Sequence, residues 1–254
     1  MSGVAYNFVI LAAAALGGAV NAVAGGGSLI SFPALVWVGV PSINANATNT
    51  IALLPGSFGS MWGYRRELAS TERRMYWLVL PSFVGGILGA LLLRLTPALL
   101  FDRLVPALVF FATCLFMLQE PVQRLVGRSH HSERGTLWVV WAGVFQFVVG
   151  VYGGYFGAGI GILMLAALSV IGHDDIHQMN GFKNLLATCI NGIAAVYFIW
   201  MGMVRWQEAV VMAIGAITGG VLGAHFARRL ERATVRKMVI GIGLAMSAAL
   251  LLRL

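Results

Sequence analysis

The chain has 254 residues, 59% of them hydrophobic and only 10% charged, with a mean hydropathy of +0.85 and a net charge of +8. A soluble domain carries about 25% charged and about 45–50% apolar residues, so the polar surface here is too small to cover a water-facing globule. An ordinary soluble enzyme, a disordered chain and a nucleic-acid binder are excluded, and an all-α polytopic membrane protein remains.

The first apolar segment covers residues 4–24 and is interrupted by Gly25-Gly26-Gly27. No basic region precedes it and residues 21–27 do not read as a cleavage site, so the segment is expected to stay in the mature protein. A shorter run, 28–40, follows, and then 45–63, 75–93 and 100–118. A polar linker, 120–134, holds Glu120, Arg124, Arg128, His130, His131, Glu133 and Arg134. The series resumes with 136–156, 160–171, 181–200, 209–227 and 235–252. Crossing about 30 Å of hydrocarbon takes around 20 helical residues, and most segments meet that length. The runs 28–40 and 160–171 do not; at about 1.5 Å per residue they reach only about 20 Å. They read as short tilted helices or as arms of re-entrant pairs. Pro33, Pro55, Pro81 and Pro106 lie in or near spans and are expected to kink them. Cys114 and Cys189 sit inside apolar runs as inert thiols, with no metal or disulfide spacing.

The chain repeats itself at an offset of about 134 residues. Gly85-Gly86-Ile87-Leu88-Gly89-Ala90 matches Gly219-Gly220-Val221-Leu222-Gly223-Ala224, and Arg94 and Arg228 follow the two blocks. The Gly25-Gly26-Gly27 break pairs with Gly157-Ala158-Gly159, and Asn46-Ala47-Thr48-Asn49 pairs with Asn180-Gly181-Phe182-Lys183-Asn184. Residues 1–119 therefore read as a first transmembrane repeat, 120–134 as a cytoplasmic linker and 135–254 as a second repeat.

The basic residues orient these repeats. The loop after the third segment carries Arg65, Arg66, Arg73 and Arg74 in the first repeat, but only Arg205 in the second. The next loop reverses this, with Arg94 and Arg103 against Arg228, Arg229, Arg232, Arg236 and Lys237. Basic loops stay in the cytoplasm, so equivalent loops face opposite sides. The fold expected is two inverted repeats of about five apolar segments each, the first two of each half short or re-entrant around a glycine break. The 64–74 loop, the linker and the 228–237 loop are then inside and hold 12 of the 17 basic residues, and both termini lie outside.

Two sets of residues could carry chemistry. The first is the pair of breaks, Gly25, Gly26, Gly27 and Ser28 in one half and Gly157 and Gly159 in the other. An interrupted helix exposes unpaired N–H groups, and N–H groups at a helix start favour an anion; close packing through small residues is the alternative. No Gly-Lys-Ser/Thr follows either break, so neither is a nucleotide loop. The second set opens the following segment. The first half has Asn44, Asn46, Thr48, Asn49 and Thr50; the second has His177, Gln178, Asn180, Lys183, Asn184 and Asn191. Amides inside an apolar span are costly unless paired, and they read either as pocket lining or as helix-to-helix hydrogen bonds. Lys183 is the basic residue that no loop explains. It pairs with Asp174 or Asp175, reaches the surface, or meets an anionic substrate. His177, Asp174 and Asp175 form a candidate proton relay. No nucleophile, base and orienter share a mechanistic spacing, so no enzyme is expected, and no metal or cofactor either.

These blocks carry a resemblance. Gly25-Gly26-Gly27-Ser28 followed by Pro33, then Asn46-Ala47-Thr48-Asn49 followed by Pro55-Gly56, resembles the sulfite exporter TauE/SafE family of membrane permeases. His177-Gln178-Met179-Asn180, Lys183-Asn184 and Asn191-Gly192 extend the likeness into the second half, where Gly157-Ala158-Gly159 departs from a glycine triplet. The resemblance implies a multi-pass carrier of the bacterial inner membrane. It would move small sulfur oxyanions or organosulfonates, driven by the proton gradient rather than by ATP. The partners expected are a small anion, protons and the lipid bilayer, without nucleic acid. The breaks and Asn-rich starts would line an anion site, with rocking of the repeats giving alternating access. A passive anion channel and a non-transporting membrane subunit or scaffold are the other classes in view. The oligomeric state stays open, because apolar surface facing lipid and apolar surface facing a partner look alike.

Overall fold

A computed structural model describes residues 3–23, 26–69, 71, 73–119, 121, 136–171, 176–226 and 232–252. Among these residues all of the regular secondary structure is helical. The helices are α1 (Gly3–Val23), α2 (Ser28–Trp37), α3 (Ser42–Gly63), α4 (Arg65–Ala69), α5 (Val79–Leu95) and α6 (Ala98–Met117). They continue with α7 (Thr136–Tyr155), α8 (Ile160–Ile171), α9 (Ile176–Trp200), α10 (Trp206–Phe226) and α11 (Arg232–Leu251). The apolar segments of the sequence thus become helices, and α2 and α8 are short, with 10 and 12 residues. Six of the described helical stretches are long and apolar enough to cross a membrane: Ala5–Ala22, Met75–Leu95, Ala98–Met117, Gln178–Trp200, Trp206–Gly223 and Thr234–Leu251. The helix α3 has 22 residues, but its first turns carry Asn44, Asn46, Thr48 and Asn49 and lower its hydropathy.

The segment that opens at Met75 begins as a 3₁₀ helix, Arg73–Leu78, and becomes α-helical only at Val79. Pro81 explains the change. It has no N–H to donate to the Trp77 carbonyl, so an α-helix cannot run straight through. Pro81 therefore lies in the first turn of α5, where a missing N–H is harmless, inside the apolar stretch Met75–Leu95. Pro33, Pro55 and Pro106 do fall inside α2, α3 and α6.

The chain divides into two compact units. Unit 1 comprises Met1–Gly56, Arg94–Cys114 and Phe198–Leu254. Within it α1 and α10 run parallel with their backbones touching. A Cβ on Gly215 would come 2.6 Å from the Leu11 carbonyl oxygen, one on Gly219 would overlap the Ala15 carbonyl, and one on Gly223 would come 2.6 Å from Ala19 Cα. Gly18 lies reciprocally against the Ala216 carbonyl. At the start of the pair, the Tyr6 hydroxyl donates to Glu208 Oε1 at 2.9 Å.

Unit 2 comprises Ser57–Leu93 and Leu115–Tyr197. Here α5 and α7 pack in the same manner. A Cβ on Gly85 would lie 2.5 Å from the Phe147 carbonyl oxygen, and one on Gly89 would overlap the Val151 carbonyl. Gly150 fits over the Ser82 carbonyl, 3.0 Å from where its Cβ would be. These contacts match those of unit 1 pair for pair at the spacing of the sequence repeat: Ala15/Gly219 with Phe147/Gly85, Ala19/Gly223 with Val151/Gly89, and Gly18/Ala216 with Gly150/Ser82. Each unit packs the first helix of one repeat against the fourth apolar helix of the other. The core of unit 2 centres on Leu78, Met164, Leu168, Phe182, Leu186 and Ile190, with the Tyr76 ring edge-on to Phe182 at 5.5 Å. Outward faces are apolar too, as at Trp200, Leu80 and Val221, a surface suited to lipid.

The packing predicts a contrast between glycines. Gly219→Ala and Gly89→Ala drive a methyl into backbone and should each lower stability by about 1–3 kcal/mol. Gly56→Ala, with open space around it, should leave stability unchanged or raise it by up to about 1 kcal/mol. Thermal unfolding in detergent measures both.

Candidate functional site

The first break lies in unit 1. Gly25 is outside the described residues, and Gly26 has φ +84°, a conformation open to glycine. The chain then folds back, and Gly27 becomes the N-cap of α2 with no side-chain cap bond. A Cβ on Gly27 would overlap the Gly17 carbonyl and come 3.1 Å from Asn21 Cβ. Gly27 thus packs closely against α1. The first turn is closed by Leu29 N–H donating to Gly26 O at 2.9 Å and Ile30 N–H to Gly27 O at 3.1 Å. Ser28 is the first residue of α2 and half-buried.

The Asn-rich start of α3 is anchored within the same unit. The Ser31 hydroxyl donates to Asn49 Oδ1 at 2.6 Å, with the Gly27 carbonyl at 3.1 Å as a second acceptor. Thr48 Oγ1 accepts the Arg205 N–H at 3.0 Å, and Asn44 Nδ2 donates to the Met203 carbonyl at 2.8 Å. Asn46, Thr48 and Asn49 are buried, and the Asn46 carbonyl accepts the Thr50 hydroxyl at 2.9 Å. Burial of these polar groups is tolerated because they are paired. Asn49 is thus a helix-to-helix hydrogen-bonding residue in this structure.

The second break lies in unit 2. Gly157 and Gly159 have φ +78° and +80°, and α8 starts at Ile160. The Tyr152 hydroxyl donates to the Ala158 carbonyl at 2.7 Å and ties the break to the last turn of α7. The helix α9 presents a polar stripe to this region. Lys183 Nζ donates to Asn180 Oδ1 at 3.1 Å. Its stem lies across the first turn of α8, since a Cβ on Gly161 would come 3.3 Å from Lys183 Cδ. Two turns on, Asn191 Oδ1 lies 3.6 Å from the position of a Cβ on Gly157. Asn184 is half-buried, and its backbone carbonyl accepts the Thr188 hydroxyl at 2.7 Å. Asp174, Asp175 and the side chain of His177 lie outside the described residues, as do the linker 122–134 and Arg228 and Arg229. Among the described residues no group of His, Cys, Asp and Glu could hold a metal.

The two constructions correspond. In each, a glycine break leads into a short helix, and a polar position of the next helix meets that short helix: Asn49 against Ser31 in unit 1, Lys183 against Gly161 in unit 2. The sequence pattern of the sulfite exporter TauE/SafE family matches residues 10–250, nearly the whole chain. The chain belongs to the TauE/SafE family.

Relatives agree with this assignment. A probable membrane transporter protein of Haemophilus influenzae is 28% identical over 230 residues, covering 90% of this chain and 88% of the relative. The probable membrane transporter protein YfcA of Escherichia coli is 27% identical over 244 residues, covering 96% and 88%. One from a Sinorhizobium species is 24% identical over 242 residues, covering 95% and 91%. No solved structure matches the chain. This TauE/SafE member is a multi-pass membrane protein of a transporter family, and such a family implies a small-molecule substrate. Sequence reasoning missed Ser31 and Tyr152. Ser31 falls on the i+4 position from Gly27, and a tyrosine one turn before a glycine break is a signal that could have been read.

The Tyr152 bond gives a direct test. Tyr152→Phe keeps the ring and leaves the Ala158 carbonyl without its donor. It should cost about 1 kcal/mol, read as a lower midpoint in thermal unfolding, whereas an unchanged midpoint would show that the break holds without this bond.

Proposed function

We propose that this TauE/SafE member is a secondary transporter that carries a small anion, a sulfur oxyanion or an organosulfonate, across the bacterial inner membrane, coupled to the proton gradient. The observation that carries the anion reading is the setting of Lys183. Its stem packs on the first turn of α8, and the first turn is the positive end of a helix. Its hydrogen-bond partner is the Asn180 amide oxygen, and no carboxylate pairs with it among the described residues. An ammonium beside a helix N-terminus is a repulsive arrangement that an anion turns into an attractive one. In this reading Gly157, Gly159, Asn180 and Asn184 join Lys183 in holding the anion in unit 2, where Asn180 bonds the Lys183 ammonium; Gly25, Gly26, Gly27, Ser28, Asn46, Thr48 and Asn49 are the corresponding residues of unit 1.

The sulfur chemistry is supported by the family's description. Proton coupling is supported by the same resemblance, with Asp174, Asp175 and His177 as the relay. The inverted arrangement is supported by the exchange of arginines between equivalent loops. In this reading the 64–74 loop, the 120–134 linker and the 228–237 loop are cytoplasmic, and both termini are periplasmic.

Proteoliposomes test the proposal with a panel of sulfite, thiosulfate, sulfate and short sulfonates under an imposed pH gradient. Flux of one of these anions should depend on the gradient, and Lys183→Ala should reduce it at least about tenfold while leaving the amount of folded protein unchanged. Unaltered flux in Lys183→Ala removes the role of Lys183, and flux indifferent to the gradient makes the protein a passive channel. Topology has its own check. With Cys114 and Cys189 replaced, single cysteines at Arg66 and Arg103 should label from opposite sides of the membrane; labelling from one side would refute the inversion.

A further inference from the structure

Unit 1 contains a cleft of about 280 Å³ formed by the first turn of α3, the corner between α5 and α6, and the turn after α9. Ser42, Asn44, Arg94, Asp102 and Met203 are among the residues that line it. Its chemistry is unbalanced. Arg94 contacts the uncharged Met201 thioether, and among the described residues no carboxylate pairs with it, although Asp102 lines the same cleft. Ser42 is 7% exposed and lines the cleft, yet its hydroxyl has no hydrogen-bond partner among the described residues. Asn44 is held in place by its bond to the Met203 carbonyl. The helix α3 begins at Ser42, and its first interior bond is Ala45 N–H to Pro41 O at 2.8 Å. The N–H groups of Ser42, Ile43 and Asn44 thus precede the helical ladder and have no partner within it.

A guanidinium, an unused hydroxyl and first-turn N–H groups are all donors. The matching ligand has several acceptor oxygens and negative charge. We propose that this cleft is a second small-oxyanion site, in which Arg94, Ser42 and the start of α3 hold the anion and Asp102 competes with it for Arg94. The site lies wholly in unit 1 and does not use Lys183. It rests on the transporter reading only for its role, as a place where the anion is held before or after the Lys183 region; binding itself is independent of that reading.

The test is titration of the purified full-length protein with sodium sulfate against sodium chloride at constant ionic strength, followed by calorimetry. Saturable sulfate binding is expected. Arg94→Gln should weaken it by about tenfold and Ser42→Ala by about threefold, as loss of a charged and of a neutral donor respectively. Asp102→Asn removes the competing carboxylate and should tighten binding about threefold or more. The Arg94-dependent component should persist in Lys183→Ala. Absence of sulfate binding in the wild type, or an isotherm unchanged by Arg94→Gln, overturns the proposal. If Arg94→Gln leaves binding intact while Lys183→Ala abolishes it, the cleft proposal fails and the Lys183 reading stands. Should Arg94→Gln fail to fold, Asp102→Asn decides alone, because binding that does not tighten contradicts the competition.

Discussion

Backbone lying on backbone is the contact on which the rest of the structure depends. In a bilayer, apolar side chains gain little by leaving lipid for one another, so helices associate through close van der Waals fit. Gly215, Gly219 and Gly223 let α10 reach the carbonyls of α1, and Gly85 and Gly89 let α5 reach those of α7. A single methyl at the tightest of these points would collide with main chain rather than with a side chain that could turn aside. The same helices, α1 and α7, are the ones that end at the glycine breaks. Their close seating therefore fixes where α2 and α8 begin.

The breaks themselves answer to a second bilayer constraint. Main chain that leaves the helix at membrane depth must find partners in protein or in water. In unit 1 the returning helix packs on its predecessor, Gly27 on Gly17, and the Ser31 hydroxyl bridges to Asn49. In unit 2 the Tyr152 hydroxyl takes the Ala158 carbonyl, and α9 lays the stem of Lys183 over Gly161. The two solutions share a frame and differ in charge. An amide at position 49 can accept and donate within the protein, whereas the ammonium at 183 can only donate and among the described residues finds one amide oxygen for its three protons.

Much of the frame is legible in the sequence because membrane helices are written as long apolar runs. Helix ends fall within a few residues of the run ends, and the short α2 and α8 follow from the length of their segments. Lys183 stands out for the same reason, as a lone cation in an apolar stretch. Partner choice is less legible. The Gly85 and Gly219 blocks announce close contact, but a glycine pattern names no partner, and only the structure pairs them with α7 and α1. Gly17 and Gly18 are inconspicuous in an alanine-rich run, yet both meet main chain. Ser42 and Arg94 read in sequence as ordinary ends of segments; their convergence on one cleft needs three separate parts of the chain. Pro81 shows how a proline's effect depends on where the helix starts, since it falls in the first turn of α5 and not in its interior.

The repeats also differ inside their matched contacts, and the difference is informative. Between α5 and α7, Gln146 Nε2 donates to Ser82 Oγ at 2.8 Å, and Ser82 in turn donates to the Leu78 carbonyl at 2.8 Å. Both side chains are fully buried, and Gln146 Oε1 has no partner among the described residues. The corresponding residues between α1 and α10 are Ala14 and Ala216, and Gly215 there packs with its Cβ position 3.1 Å from Ala14 Cβ. Since that contact closes with alanines alone, the polar pair is not needed for closure. An unsatisfied buried oxygen costs about 1–3 kcal/mol, comparable with or larger than what one hydrogen bond returns. What the bond does add is direction. Glycine against backbone resists compression but offers little against sliding along the helix axis, whereas a hydrogen bond from Gln146 is satisfied at one register only. The α5–α7 contact is accordingly pinned along its length, and the α1–α10 contact is held there by the Tyr6 bond to Glu208 at its end.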